Sequence, residues 1–212
     1  MTEDIADHAD RFDDKAATYD EDKSPEYRRA VDLVIRHAAV ERSDTVLDLG
    51  AGTGALTLAL APDAAEVIGR DISDGMLQRA REKAAERGIE NATFGNGRFR
   101  EPNVPADAEI DVVVSNFAMH HLADEEKREA IDVIAGLEPE RFVLGDVMLF
   151  GEPAPDEPFY SPEVDDPATV GVLADAFTDA GFSLTAVEAV HDQVGVLVGE
   201  RSALPDRTEG GA

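Results

Sequence analysis

Three glycines separated by single residues are the part of the sequence best suited to hold a ligand. The stretch V-L-D-L-G-A-G-T-G (46–54) places Gly50, Gly52 and Gly54 after an apolar run that is typical of a buried parallel strand. An apolar segment, residues 56–61, follows and is predicted to be helical. Because glycine has no side chain, a ligand can approach the backbone N–H groups at such a helix start. The sequence therefore predicts a cradle for a nucleotide cofactor at this bend.

Carboxylates near the bend distinguish between the nucleotides that it could accept. Gly50, Gly52 and Ala55 match the dinucleotide fingerprint G-x-G-x-x-[GA], and Asp71 follows at about the distance of a ribose-binding acid (roughly 20 residues). Asp48 precedes the first glycine by two residues. An uncompensated carboxylate there repels a diphosphate but suits an ammonium or sulfonium group. S-adenosylmethionine, a cationic nucleoside with no phosphate, satisfies both conditions.

The stretch around the bend resembles the first motif of class I S-adenosylmethionine-dependent methyltransferases, hydrophobic-x-D-x-G-x-G-x-G. The resemblance extends from Phe12 to Glu200 and includes F-D-x-x-A-x-x-Y-D at residues 12–20 and D-x-V-x-S-x-x-A-x-H-H-L at residues 111–122. The N-P-P-Y type sequence of methylases that act on nucleic acid bases is absent, because Asn116 is followed by Phe and Ala. The chain is most similar to small, single-domain members that methylate small molecules.

The resemblance implies a set of cofactor contacts. Asp48 would lie at the methionine end of S-adenosylmethionine, either reaching its ammonium or ordering the glycine loop, and Asp71 would hold the ribose. The implied cofactor-binding residues are Tyr19, Asp48, Gly50, Ala51, Gly52, Gly54, Asp71, Ile72, Met76, Gly97, Arg98, Ser115 and Asn116.

Arg98 departs from the family pattern, in which an aspartate at this position accepts a hydrogen bond from the adenine amino group. Arginine has no acceptor atom. Either Asn96 or a backbone carbonyl replaces the aspartate, or adenine recognition is weakened. A further alternative is that Arg98 stacks on the adenine ring.

His120 and Tyr19 are the candidate catalytic residues. One of the adjacent histidines, His120 or His121, would act as a general base near the methyl acceptor. The alternative is that one of them packs or caps while the other lies on the surface. Asn116 and Asp146 are also expected on the acceptor side. No metal site is predicted, because no H-x-x-x-H or carboxylate spacing supports one and the chain has no cysteine.

Alternating strand and helix patterns predict one α/β domain with a doubly wound, seven-stranded and mostly parallel sheet. The resemblance implies the strand order 3-2-1-4-5-7-6 with the seventh strand antiparallel. Strands are predicted at residues 46–49, 66–70, 91–95, 110–115, 141–147, 182–190 and 193–200. Residues 1–44 would form a helical cap segment, residues 45–200 the cofactor-binding core and residues 201–212 a disordered tail. An acidic, proline-rich loop at residues 151–167 is expected to cover the acceptor.

The charge of the chain restricts its partners. Its 212 residues include 46 Asp and Glu against 19 Lys and Arg, which gives a formal net charge of -27. This charge opposes nucleic-acid binding in ordinary salt. We interpret it as adaptation of the host to high salt, which screens the self-repulsion; the alternative is an acidic face for a basic partner. Because the sequence shows no membrane-length apolar run and no signal pattern, we expect a cytoplasmic protein without a membrane partner.

The predicted reaction is transfer of a methyl group from S-adenosylmethionine to a small-molecule acceptor by in-line displacement. It requires an acceptor atom held in line with the C–S bond in a site shielded from water. Two other function classes remain open. One is a protein that binds S-adenosylmethionine or S-adenosylhomocysteine without catalysis. The other is an NAD(P)-binding oxidoreductase, which the glycine fingerprint also permits.

Overall fold

A computed structural model describes residues 5–21, 23–151 and 159–201. The helices are α1 (Ile5–Lys15), α2 (Pro25–Ala38), α3 (Ala55–Leu60), α4 (Asp74–Arg87), α5 (Asp124–Gly136) and α6 (Val170–Asp179). The strands are β1 (Thr45–Leu49), β2 (Glu66–Asp71), β3 (Ala92–Asn96), β4 (Val112–Asn116), β5 (Arg141–Val147), β6 (Phe182–His191) and β7 (Val194–Arg201). Each predicted strand is present, and its ends lie within two residues of the predicted ends.

The strands form one sheet in the order β3-β2-β1-β4-β5-β7-β6. Strands β1 to β5 pair in parallel, whereas β7 runs antiparallel to both β5 and β6. The predicted doubly wound sheet, its strand order and its antiparallel seventh strand are thus confirmed. The order reverses between β1 and β4. In α/β proteins, ligands bind beyond the carboxyl ends of the strands at this reversal.

Both faces of the sheet are covered, which explains why the central strands β1 and β4 are mostly apolar. Leu47 and Leu49 belong to the hydrophobic cluster that contains residues of α5 and α6. Val46 belongs to the cluster on the opposite face, with Leu33 and Val34 of α2. Neighbouring residues of β1 therefore enter different clusters, as the alternation of side chains along a strand requires.

The N-terminal segment forms α1 and α2. The Ser24 hydroxyl accepts a hydrogen bond from the Tyr27 N–H (3.1 Å), and Pro25 opens α2, so both the cap and the first residue favour this helix start. α1 is attached to α4, because the Asp13 carboxylate accepts a hydrogen bond from the Gly75 N–H (2.8 Å). In the described ranges, no helix combines the length and apolar character needed to cross a bilayer.

The predicted tail is only partly within the described residues. Arg201 is the last residue of β7, and its guanidinium pairs with Glu138 (3.1 Å). Residues 202–212 lie outside the described residues.

Candidate functional site

The glycine bend follows the carboxyl end of β1, at the reversal of strand order. Gly50 and Gly52 have φ values of +75° and +53°, which favour glycine. The N–H groups of Gly50 and Ala51 donate to the Arg70 carbonyl (2.8 and 3.0 Å), which ties the bend to β2. A Cβ on Gly50 would lie 2.3 Å from the Ala118 Cβ. Backbone hydrogen bonds and close packing therefore fix the shape of the bend.

Asp71 places a carboxylate beside the bend. It ends β2, and its two oxygens accept hydrogen bonds from the N–H groups of Gly52 (2.8 Å) and Ser73 (2.9 Å). Burial raises the pKa of Asp71, and these backbone hydrogen bonds oppose the rise. Its carboxylate is thus held in place with acceptor capacity left for the vicinal hydroxyls of a ribose.

Asp48 lies behind the bend, where it is 1% exposed. One of its oxygens accepts hydrogen bonds from both the N–H (3.0 Å) and the hydroxyl (2.5 Å) of Thr57 in α3. Burial raises the pKa of Asp48 to about 7, although the bonds from Thr57 oppose the rise. Of the two roles expected for Asp48, these contacts match the ordering of the loop and helix start rather than direct contact with a ligand.

A cavity of about 440 Å³ opens in front of the bend, a size within the range of small-molecule sites. Eight of the predicted cofactor-binding residues line it: Tyr19, Gly50, Gly52, Asp71, Ile72, Met76, Gly97 and Arg98. The other five are not among the lining residues and are buried behind them: Asp48, Ala51, Gly54, Ser115 and Asn116. The structure thus brings eight of the thirteen predicted residues to one cavity and leaves the other five outside its lining.

The charged lining of this cavity is mainly acidic. Its carboxylates are Asp71, Glu126, Glu163, Asp165 and Asp166. The guanidiniums of Arg98 and Arg100 also line it, but Arg98 pairs with Glu101 (2.6 Å) and Arg100 pairs with Glu126 (3.0 Å). An acid-lined cavity favours a cationic ligand and repels a diphosphate.

The segment after β3 forms a further part of the cavity wall. Asn96, a predicted alternative acceptor for adenine, is not among the lining residues, and its amide donates to the Ile72 carbonyl (3.3 Å). Phe99 lines the cavity and is 9% exposed. It was not predicted as a site residue; the signal for it was an apolar residue close after Gly97 in an otherwise polar turn.

The two adjacent histidines follow β4 in a short 3₁₀ turn. The His120 Nδ1 lies 2.5 Å from the Asp146 carboxylate, which also accepts a hydrogen bond from the His120 N–H (3.0 Å). The His121 Nδ1 lies 2.6 Å from the Asp165 carboxylate. Burial lowers the pKa of His121 to about 4. Burial opposes ionisation of Asp165, but the bond from His121 helps to hold the pKa of Asp165 at about 2. At neutral pH, His121 is therefore uncharged and Asp165 is ionised.

A smaller cavity of about 190 Å³ adjoins the larger one, and residues such as Tyr19, Phe117 and His121 line both. His120 lines the smaller cavity but not the larger one. Both predicted catalytic residues, Tyr19 and His120, therefore line the smaller cavity. Burial and the nearby carboxylates, first among them Asp71, raise the pKa of Tyr19 to about 12. Its phenol therefore keeps its proton and can donate a hydrogen bond.

His120, His121 and Asp165 also form a group whose potential metal-ligating atoms all lie within 4.8 Å of one another. Spacing along the chain did not predict this group, because Asp165 is 44 residues from His121. Imidazole and carboxylate are ligand types of zinc sites. Hydrogen bonds to carboxylates already account for one nitrogen of each ring.

Helix α1 and residues 162–166 cover the cavity. The His8 ring of α1 lies 4.6 Å from the His121 ring, and the Phe12 ring lies 5.5 Å from it, measured between centroids. Residues 162–166 line the cavity, in the loop that was expected to cover the acceptor. Residues 152–158 of that loop lie outside the described residues.

Comparisons with known proteins show which family this chain resembles. A family model of a methyltransferase domain matches residues 46–137. An uncharacterized methyltransferase of Bacillus pumilus (strain SAFR-032) is 30% identical to the chain, over 91% of this chain and 94% of the relative.

Two solved structures share the fold. The YcgJ protein of Bacillus subtilis matches with a TM-score of 0.65 and 27% identity, over 74% of this chain and 70% of that chain. Magnesium protoporphyrin IX methyltransferase (ChlM) of Synechocystis PCC 6803, solved with bound SAM, matches with a TM-score of 0.74 and 21% identity. That match covers 95% of this chain and 99% of the other.

Proposed function

The chain belongs to the class I S-adenosylmethionine-dependent methyltransferases, and we propose that it methylates a small-molecule acceptor. Its cofactor is S-adenosylmethionine, as in the family. This membership excludes the NAD(P)-binding oxidoreductase as the interpretation of the glycine fingerprint.

The residues of the larger cavity fit this cofactor. The Asp71 carboxylate would accept hydrogen bonds from the ribose hydroxyls, and the bend at Gly50 and Gly52 leaves room for the ligand beside the backbone. Ile72 and Met76 offer apolar contact for the adenine. The acid-lined cavity around Asp71 is the observation that carries the proposal, because it matches the two cationic centres of S-adenosylmethionine.

When bound, the cofactor supplies a methyl group whose C–S bond breaks as the acceptor's electron pair forms the new bond, leaving S-adenosylhomocysteine. The chain's own contribution is to orient the acceptor and exclude water. Helix α1 and residues 162–166 provide the cover. The protonated Tyr19 phenol, which lines both cavities, would be able to donate a hydrogen bond to a ligand where they meet.

His120 is better placed than His121 to take a proton from the acceptor. With the proton of the neutral ring on Nδ1, His120 donates a hydrogen bond to the Asp146 carboxylate, which leaves Nε2 free to accept a proton. His121, with a pKa of about 4, is a weak base at neutral pH. His120→Asn should lower kcat by roughly a hundredfold or more if the acceptor loses a proton in the transition state, and it should leave S-adenosylhomocysteine affinity unchanged. If kcat and S-adenosylhomocysteine affinity fall by equal factors, His120 instead has a structural role in the cofactor site.

Two features support a small acceptor over a nucleic acid. The cavities lie under α1 and hold about 440 and 190 Å³, which suits a small molecule. The net charge of -27 opposes the approach of a polyanion, although molar salt screens this effect. We also attribute the charge to adaptation to high salt. Unfolding should therefore require less denaturant at a low KCl concentration than at a molar one.

Transfer of a labelled methyl group tests the acceptor class. An extract of the source organism is separated into small-molecule, nucleic-acid and protein fractions, and each is incubated with the chain and methyl-labelled cofactor. We expect label in the small-molecule fraction. Label confined to another fraction would contradict a small acceptor. Binding of S-adenosylhomocysteine without label in any fraction would identify a non-catalytic binding protein.

A further inference from the structure

Two of the chain's lysines line the smaller cavity. The chain has only four lysines: Lys15, Lys23, Lys83 and Lys127. The last two pair with Asp20 and Asp124. Among the described residues, the ammonium groups of Lys15 and Lys23 make no hydrogen bond and no ion pair. In a chain with a net charge of -27, two such ammonium groups beside one cavity indicate a requirement for positive charge there.

Aromatic rings hold the ammonium of Lys23. Its Nζ lies 3.0 Å from the centroid of the Tyr19 ring and 4.5 Å from that of Tyr27. Such contacts stabilise a cation without neutralising it. Burial lowers the pKa of Lys23 to about 8, although the nearby Asp20 carboxylate opposes the fall, so most Lys23 side chains are charged at neutral pH. The partly desolvated charge remains available to an anion in the cavity.

Helix electrostatics explain only one of the two lysines. Lys15 is in the last turn of α1, where the helix dipole favours a cation. Lys23 precedes α2 and is not part of a helix. Arg11 also lines the smaller cavity, which adds a third cationic side chain to its wall.

In the described part of the chain, the smaller cavity has one carboxylate in its wall against three cationic side chains. Asp165 is the carboxylate among its lining residues, and it accepts hydrogen bonds from His121 (2.6 Å) and from the Ser161 N–H (2.7 Å). The smaller cavity thus has a cationic wall, whereas the adjoining larger cavity has an acidic one. This contrast assigns opposite charges to the two ligands that the cavities accept.

We propose that Lys15 and Lys23 form an anion subsite for the methyl acceptor, so that the acceptor is a small molecule with a carboxylate or phosphate group. The inference rests on the proposed function, because it concerns the second ligand of the same site. In molar salt, long-range attraction is screened. The subsite therefore acts through direct contact between ammonium and anion.

Fractionation by charge tests the class of acceptor. A deproteinised small-molecule extract of the source organism is separated on an anion exchanger into retained and unretained fractions. Each is incubated with the full chain and methyl-labelled S-adenosylmethionine in molar KCl. We expect labelled product from the retained fraction. Label mainly from the unretained fraction would overturn the anion subsite and leave methyl transfer intact. No label from either fraction would overturn the proposed function as well.

Substitution of the lysines tests the residues. The variant with both Lys15→Met and Lys23→Met keeps the apolar stems and removes the charges. It should raise KM for the retained acceptor roughly tenfold or more, with kcat within about twofold of the original. Arg42→Met, which removes one exposed cation before β1, is the matched control and should change neither.

The same variants separate two sources of the anion. If the lysines bind the carboxylate of the cofactor, the double variant should weaken S-adenosylhomocysteine as measured by calorimetry, and the inference would be wrong. Unchanged KM for the acceptor would also overturn it. Unchanged S-adenosylhomocysteine affinity, together with the raised KM, would support it and would show that the variant is folded.

Discussion

The two sides of the larger cavity are built in different ways. On the glycine side, the bend is hydrogen-bonded to β2 through backbone groups, and its neighbours are buried strands of the core. On the cap side, the contacts are made by side chains: the His8 and Phe12 rings of α1 pack on the His121 ring, and Asp165 pairs with His121. This difference suits the two ligands. The cofactor is the same throughout the family and is held by backbone that the core fixes, whereas the acceptor is held by side chains on surface segments.

Truncation of one phenylalanine on each side sharpens this comparison. Phe142 is fully buried in β5 and stacks on Phe177 at 4.8 Å between centroids, whereas Phe12 is half-buried in α1. Phe142→Ala should lower the free energy of unfolding by about 3–5 kcal/mol, because it leaves a cavity in the core. Phe12→Ala should cost about 1 kcal/mol. Denaturant unfolding in molar KCl measures both, and equal costs would show that the cap is as much part of the core as the sheet.

Two glycines with similar backbone angles test how closely the bend is packed. Gly50 has φ +75° and no room for a Cβ, whereas Gly88 has φ +65° and no atom within 4 Å of a Cβ placed there. Gly50→Ala should destabilise the fold by about 2–4 kcal/mol, through the backbone conformation and the clash together, and should abolish detectable S-adenosylhomocysteine binding. Gly88→Ala should cost only the backbone term of about 1–2 kcal/mol and leave binding unchanged.

The same measurements can contradict the account of the bend. If the two alanine variants lose equal stability and both bind S-adenosylhomocysteine normally, the close approach of Gly50 and Ala118 is not what shapes the site.

Asp48 gives the glycine side a pH dependence. Its pKa is raised to about 7, so the unfolded chain releases this proton near pH 4 and the folded chain only near pH 7. The contribution of Asp48 to stability therefore falls as pH rises from about 4 to 7, by on the order of 4 kcal/mol. Asp48→Asn should remove that fall, because an amide does not titrate. The amide oxygen can still accept the hydrogen bonds from Thr57. The free energy of unfolding is measured against pH for the variant and the original chain. If the two plots stay parallel between pH 4 and 7, the pKa of Asp48 is not raised.

The sequence predicted the glycine side more completely than the cap side. Local patterns and the resemblance predicted the glycine bend, Asp71 and the strand order. In the structure the strands have that order, and Asp71 is hydrogen-bonded to the bend. The burial of Asp48 against Thr57 was not predicted, because it depends on how α3 packs. The pairing of His121 with Asp165 was not predicted either, because it joins segments that only the tertiary fold brings together.

The charge arrangement of the cap side shows the same limit. Lys15 and Lys23 are unremarkable in the sequence, since spacing along the chain does not reveal which lysines line one cavity. Their significance depends on the shared cavity and on the aromatic rings beneath Lys23. Residue types thus predict sites made by one strand and its following turn, and they are weak predictors of sites assembled from side chains of distant segments.

Calorimetry in molar KCl with S-adenosylhomocysteine and NADH tests the central claim, that an acid-lined cavity at the glycine bend holds a nucleoside without phosphate. We predict saturable binding of S-adenosylhomocysteine, weakened by about 1–3 kcal/mol in Asp71→Ala, and no binding of NADH. Tight binding of NADH, with no heat from S-adenosylhomocysteine, would contradict the account.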